Sequence, residues 1–184
     1  MKTRYRPLLA AAAFATALAG TAAAEEDELG DPDIVEIQVS VPVIGADGSE
    51  IGTAHLVDVP IGGLLISAVI ENLPSGWHAF HIHEGGECDA EGGFESAGGH
   101  FNPTDAEHGY LNTSGSHAGD MPNQYVPEDG TLRTRVHNPN VSLDGEEPSV
   151  RGRTIVVHAG PDDYTSDPSG NAGERLACAV IPEA

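Results

Sequence analysis

Lysine is nearly absent. The 184 residues hold one, Lys2, and eight basic residues face 29 acidic ones, for a formal net charge of −21. Nucleic acid and anionic membranes both call for basic surface, so no nucleic acid and no membrane is expected as partner. The acidity reads instead as solubility. Long apolar runs are missing too: Leu8 to Gly20 falls short of the roughly 20 residues a membrane span needs. Preceded by Lys2, Arg4 and Arg6 and followed by Ala22-Ala23-Ala24, that run reads as a secretory signal peptide over residues 1–24. No cysteine follows it, which argues against lipid attachment. The expectation is an exported protein, in the periplasm or outside the cell. Removal after Ala24 leaves 160 residues, enough for one sizeable core. It also leaves five basic residues against 29 acidic ones, a charge of −24.

Cysteine is scarce as well, with only Cys88 and Cys178. In an exported chain an even pair reads as one disulfide; two free buried thiols are the alternative. The bridge would close a loop of about 90 residues, worth roughly 4–5 kcal/mol in the chain-entropy picture, less any strain. No amphipathic helix, internal repeat or domain-splitting linker is visible.

What the chain does have is strand texture. Residues 25–33 are acidic, lack a core-forming pattern and read as a mobile start. From Ile34 to Val41 apolar and polar residues alternate with period two. Further strands are expected at Ile51–Val59, Leu64–Ile70, Trp77–His83, Leu132–His137, Thr154–His158 and Leu176–Ile181, with a turn at Ala46-Asp47-Gly48-Ser49. Short strands with Gly- and Pro-rich turns predict an all-β antiparallel sandwich or barrel over residues 34–184. Two long loops, about 84–128 and 159–175, fit such a domain only if they are functional.

Histidine supplies the function. His81 and His83, two apart on a strand, share one face. His100, His108, His117 and Asp120 fall in the first long loop, and His158 ends a later strand. Imidazole suits copper and zinc. Four nitrogens with an open position suit a cycling copper site, and three nitrogens with a carboxylate suit a closed zinc site. His81, His83, His100 and His158 make the first set; His100, His108, His117 and Asp120 make the second. Seven residues fill eight positions only if His100 bridges through both ring nitrogens, which two adjacent cations can drive. His55, His78 and His137 read as structural or surface residues.

The stretches Gly76-Trp77-His78-Ala79-Phe80-His81-Ile82-His83, Ser96-Ala97-Gly98-Gly99-His100-Phe101-Asn102-Pro103, His117-Ala118-Gly119-Asp120-Met121-Pro122-Asn123 and Gly170-Asn171-Ala172-Gly173-Glu174-Arg175-Leu176-Ala177-Cys178 resemble the copper/zinc superoxide dismutases, in their secreted bacterial type. The resemblance implies an eight-stranded Greek-key barrel. It implies copper on the first set, zinc on the second, and His100 as the bridge. Arg175 would dock the superoxide anion beside copper. Asp162 would link ligands of both metals, and Cys88 and Cys178 would form the family's disulfide. The implied chemistry is ping-pong dismutation to O2 and H2O2 by Cu(II)/Cu(I) cycling, with His100 delivering a proton. Monomer and homodimer both remain open. A non-catalytic metal-binding module of the same fold, or a β-sandwich binding metal loosely, are the rival readings.

Three departures stand out. Ala79 and Ala179 replace usual glycines, adding methyls where close packing or an unusual backbone angle would want none. The second long loop is short and holds no lysine, carrying Tyr164-Thr165-Ser166-Asp167-Pro168-Ser169 instead. Guidance of an anion would then rest on Arg175 and the metals. The expected outcome is a kcat/KM that falls only weakly with ionic strength. A steep fall across a salt titration would contradict it.

Overall fold

The computed structural model describes residues 38–145 and 148–184. The expected signal peptide, the acidic start and residues 34–37 of the expected first strand lie outside them. Among the described residues nine strands follow in order: β1 Val39–Gly45, β2 Glu50–Asp58, β3 Leu64–Ile70, β4 Gly76–His78, β5 Phe80–His83, β6 Gln124–Val126, β7 Leu132–Asn138, β8 Thr154–His158 and β9 Arg175–Val180. The only helical segment among the described residues is a 3-10 turn at Glu95–Ala97.

Alternation of side chains builds the core. On β1 Val39, Val41 and Val43 point inward, on β3 Leu64, Ile66, Ala68 and Ile70, and on β7 Leu132 and Val136. β8 is buried at every position, because its two faces serve two clusters. Ile155 and Val157 join the main core, while Val156 packs with Phe94, Ala97 and Cys178 beneath the first long loop. That is why Thr154–His158 reads as a continuous apolar run.

The strands form an antiparallel sheet in the order β5-β8-β9-β1-β2-β3-β7, and β4 pairs with β6. Two links curl this sheet toward closure. β4 and β5 are one strand interrupted at Ala79, whose N–H donates to the Gly160 carbonyl (2.9 Å) and whose carbonyl accepts from His158 N–H (2.9 Å). At the other edge Thr134 Oγ1 of β7 donates to Gln124 Oε1 of β6. Counting β4–β5 once gives the eight strands of the expected Greek-key barrel.

Local departures from expectation have local causes. β1 runs on past Val41 to Gly45, through Pro42. The missing N–H is tolerated because β1 pairs with β9 only at Ile44 and Gly45. β6 falls inside the stretch expected to be loop. Three residues carry too little periodicity to be seen, but they pair in register with β4, Trp77 opposite Tyr125. Ala79 and Ala179 are fully buried, and neither has a positive φ. Their methyls therefore sit without backbone strain.

Cys88 and Cys178 form a disulfide across 90 residues. It ties the first long loop to β9, so the loop is fixed to the barrel wall at one end of the site. Replacing Cys178 by serine should lower unfolding stability by up to about 4–5 kcal/mol, read as a drop in urea midpoint. A midpoint unchanged from the parent would show that packing around Phe94 alone holds the loop.

Candidate metal centre

The first long loop reaches the barrel as two irregular strands laid along β5. Ile82 carries both: its carbonyl accepts from Phe101 N–H (2.9 Å), and its N–H donates to the Gly119 carbonyl (2.9 Å). Isolated bridges join His83 to His100 and His81 to Asp120. A Cβ on Gly119 would lie 2.2 Å from the Ile82 carbonyl oxygen, so only glycine permits this approach. β8 flanks β5 on the other side, His81 opposite Val156, which brings His158 to the same end. All seven residues of the two predicted sets are buried and gather in one place. One set comprises His81, His83, His100 and His158; the other comprises His100, His108, His117 and Asp120. In each, the nitrogen or oxygen atoms lie within 4.8 Å of one another.

Ring orientation follows from the second partner of each imidazole. His81 Nε2 donates to Asp162 Oδ2 (2.8 Å), leaving its Nδ1 buried without a partner. His83 Nδ1 donates to the Gly98 carbonyl (3.0 Å) and His158 Nδ1 to the Gly173 carbonyl (3.3 Å). Their Nε2 atoms then carry bare lone pairs, yet face each other at 3.2 Å. His100 Nε2 is likewise buried and unpaired. Four lone pairs turned on one another are mutually repulsive, and a cation among them removes the repulsion.

The second set centres on Asp120. Its Oδ1 lies 2.9 Å from His100 Nδ1, 3.1 Å from His108 Nδ1 and 3.4 Å from His117 Nδ1. Its Oδ2 accepts from the backbone N–H groups of Gly109 (3.0 Å) and His117 (2.9 Å). Three nitrogens and one carboxylate oxygen are the donors of a closed zinc site. Asp162 stands behind both sets, accepting from His108 Nε2 at Oδ1 (3.0 Å) as well as from His81. Gly170, at φ +65°, passes so close that a Cβ there would collide with the Asp162 carboxylate.

Arg175 begins β9 opposite His158. Its Nη1 donates to the Phe94 carbonyl (2.5 Å) and its Nη2 to the Gly98 carbonyl (2.7 Å). The guanidinium is thus fixed in a cleft that it lines with His83, His100 and His158. The exposed carboxylates of Glu84, Glu95, Asp105, Asp167 and Glu174 also line this cleft. The three remaining histidines lie apart from the two sets. His78 bonds the carbonyls of His158 (2.7 Å) and Pro74 (2.8 Å), His55 meets Ser40 Oγ (2.8 Å), and His137 meets the Gly62 carbonyl (2.9 Å).

The profile of the family described as copper/zinc superoxide dismutase matches residues 50–181. The chain belongs to that family. It is 47% identical over 151 residues to a Cu-Zn superoxide dismutase of Aquifex aeolicus, covering 79% of this chain and 87% of that protein. A solved double mutant of a superoxide dismutase-like protein from Bacillus subtilis is 37% identical with a TM-score of 0.74, covering 78% of this chain and 96% of that one. The Cu/Zn superoxide dismutase of Brucella abortus is 31% identical with a TM-score of 0.65, covering 78% and 98%. The family implies copper and zinc as cofactors, and the donor sets of this chain suit both.

Without metals the centre titrates in opposite directions. Burial depresses His100 to about 4 and His158 to about 3, and pushes His83 well below the usual 6.5. Burial opposes charging of His108 too, but its bonds to Asp120 and Asp162 raise it to about 9. The depressed groups stabilise the fold above pH 6.5 and lose that contribution as pH falls toward 4 and 3. His108 stabilises it below pH 6.5 and loses that contribution as pH rises through 9. Metal-free protein should therefore melt highest near pH 6.5, dropping faster on the acid side. A melting temperature flat from pH 4 to 9 would contradict this.

Proposed function

We propose that this chain is an exported superoxide dismutase that holds copper on His81, His83, His100 and His158. Zinc sits on His100, His108, His117 and Asp120, with His100 shared. The observation that carries the reading is the convergence of ring nitrogens: His81 Nδ1 and the Nε2 atoms of His83, His100 and His158 bare on one side, and three Nδ1 atoms gathered around Asp120 Oδ1 on the other. Export is supported by the disulfide and by the basic, then apolar, then small-residue start of the sequence.

Copper, when bound, supplies the one-electron couple that accepts an electron from one superoxide and passes it to a second. The sum is two superoxide anions and two protons giving O2 and H2O2. Arg175 binds and orients the anion. Its guanidinium is aimed by two carbonyls and has no other cationic residue beside it in the cleft lining. When copper does not occupy it, His100 Nε2 would take up a proton and deliver it, while Asp120 keeps the Nδ1 side of the ring in place. Asp162 fixes the ring planes of His81 and His108 and so couples the two sets. The disulfide and the Val156–Phe94 cluster hold the loop whose carbonyls aim Arg175.

A second reading, a metal-binding module of the same fold without turnover, draws on the likeness to a protein described only as superoxide dismutase-like. One experiment separates the two. The chain from Glu25, loaded with copper and zinc, should dismute superoxide rapidly. His158→Ala should abolish that activity, by more than the roughly 10–100-fold that losing an outer contact to a ligand costs. One bound copper and one bound zinc with no turnover in the parent chain would favour the module.

A further inference from the structure

We infer that Arg153 is a positioning residue for the copper site, clamping from outside the two backbone segments that carry His83 and His100; this rests on the copper assignment of those histidines. Arg153 directly precedes β8 and is fixed at its backbone. Its N–H donates to the Val150 carbonyl (3.1 Å) and its carbonyl accepts from Ile181 N–H (2.8 Å). From that base the side chain reaches across β5. Nη1 donates to the Glu84 carbonyl (2.7 Å), and the guanidinium carbon lies 5.1 Å from the centroid of the Phe101 ring. Nε is buried with no partner.

Glu84 follows His83, and Phe101 follows His100. The two segments are already joined side by side, Glu84 N–H donating to the Gly99 carbonyl (2.9 Å) and Phe101 N–H to the Ile82 carbonyl (2.9 Å). The guanidinium therefore lies over a seam whose two sides each carry one ring of the copper set. The hydrogen bond fixes the β5 side, and the cation over the ring fixes the other. Arg175 grips the same loop from within, through the carbonyls of Phe94 and Gly98. Two arginines thus hold the loop, Arg175 from within the cleft and Arg153 from outside its lining. A slip along this seam would move His83 Nε2 and His100 Nε2 relative to each other without unfolding the barrel. Metal sites respond strongly to such small misplacements.

The test compares the parent chain with Arg153→Met, Arg153→Lys and, as a control on the outer face of β7, Arg133→Met. Methionine keeps the apolar stem but removes donor and charge; lysine keeps one donor and the charge. In metal-free protein, amide exchange at Glu84 and Phe101 should accelerate in Arg153→Met, while amides of β2 and β3 keep parent rates. In copper- and zinc-loaded protein, Arg153→Met should shift the Cu(II) electron paramagnetic resonance spectrum and lower kcat/KM about tenfold, the low end for an outer contact. Arg153→Lys should recover most of both, and Arg133→Met should match the parent. Parent-like spectra and exchange in Arg153→Met would overturn the inference. So would faster exchange spread over all strands, or failure of both Arg153 variants to fold, since either makes the residue a general structural one. A parent chain that takes up no copper would sink the copper assignment instead, and exchange in the metal-free chain would still decide the clamp.

Discussion

Charge neutralisation among buried polar rings is the constraint that organises this molecule. Six imidazoles and two carboxylates are packed at one end of the barrel, each with almost no access to water. Lone pairs and carboxylate charge cannot be left unopposed there. Asp120 and Asp162 answer part of the demand through hydrogen bonds to four ring nitrogens, and backbone carbonyls orient the rest. What stays unanswered is a pair of sharply localised deficits of positive charge, one of them shared through His100. Cations of two different preferences satisfy those deficits more fully than protons do, since the rings crowd one another too closely for all of them to be protonated.

The barrel and the loops divide the labour. β1, β3 and β7 alternate buried and more exposed positions, β2 buries Ala54, Leu56 and Val57, and none of the four carries a member of either set. They form a hydrophobic wall that does not require metal to be consistent. The site is built where that regularity stops: on β5, at the last residue of β8 and the first of β9, and on loops laid against them. Second-row residues act by aiming. Carbonyls of Gly98 and Gly173 aim His83 and His158, Asp162 aims His81 and His108, and Phe94 and Gly98 aim Arg175.

Much of this was legible in the chain. The bounds of β2, β3 and β7 were legible to within a residue, because short runs of strand-forming residues stand between Gly-, Pro- and Asn-rich turns. The seven residues of the two sets were legible by type and spacing, since His81 and His83 share a strand face and loop residues can gather around a point. β6 was not legible, because three residues without a periodic neighbour give no signal. The break at Ala79 was not legible either, because it is set by bonds to Gly160 and His158 far along the chain. Arg153 escaped notice for the same reason. Its partners are a carbonyl and a ring 69 and 52 positions away, and neither leaves a mark near the arginine itself.

The bridge between Cys88 and Cys178 has a meaning in time as well as in space. It spans the loop that offers Phe94 and Gly98 to the guanidinium and the strand from which that guanidinium projects. Before the sulfurs join, aim and aimed group are connected only through weak contacts and a long stretch of chain. Closure of the bond therefore dates the molecule. The pocket acquires its final shape only once the two sulfurs are oxidised, so oxidation itself is a step in its maturation.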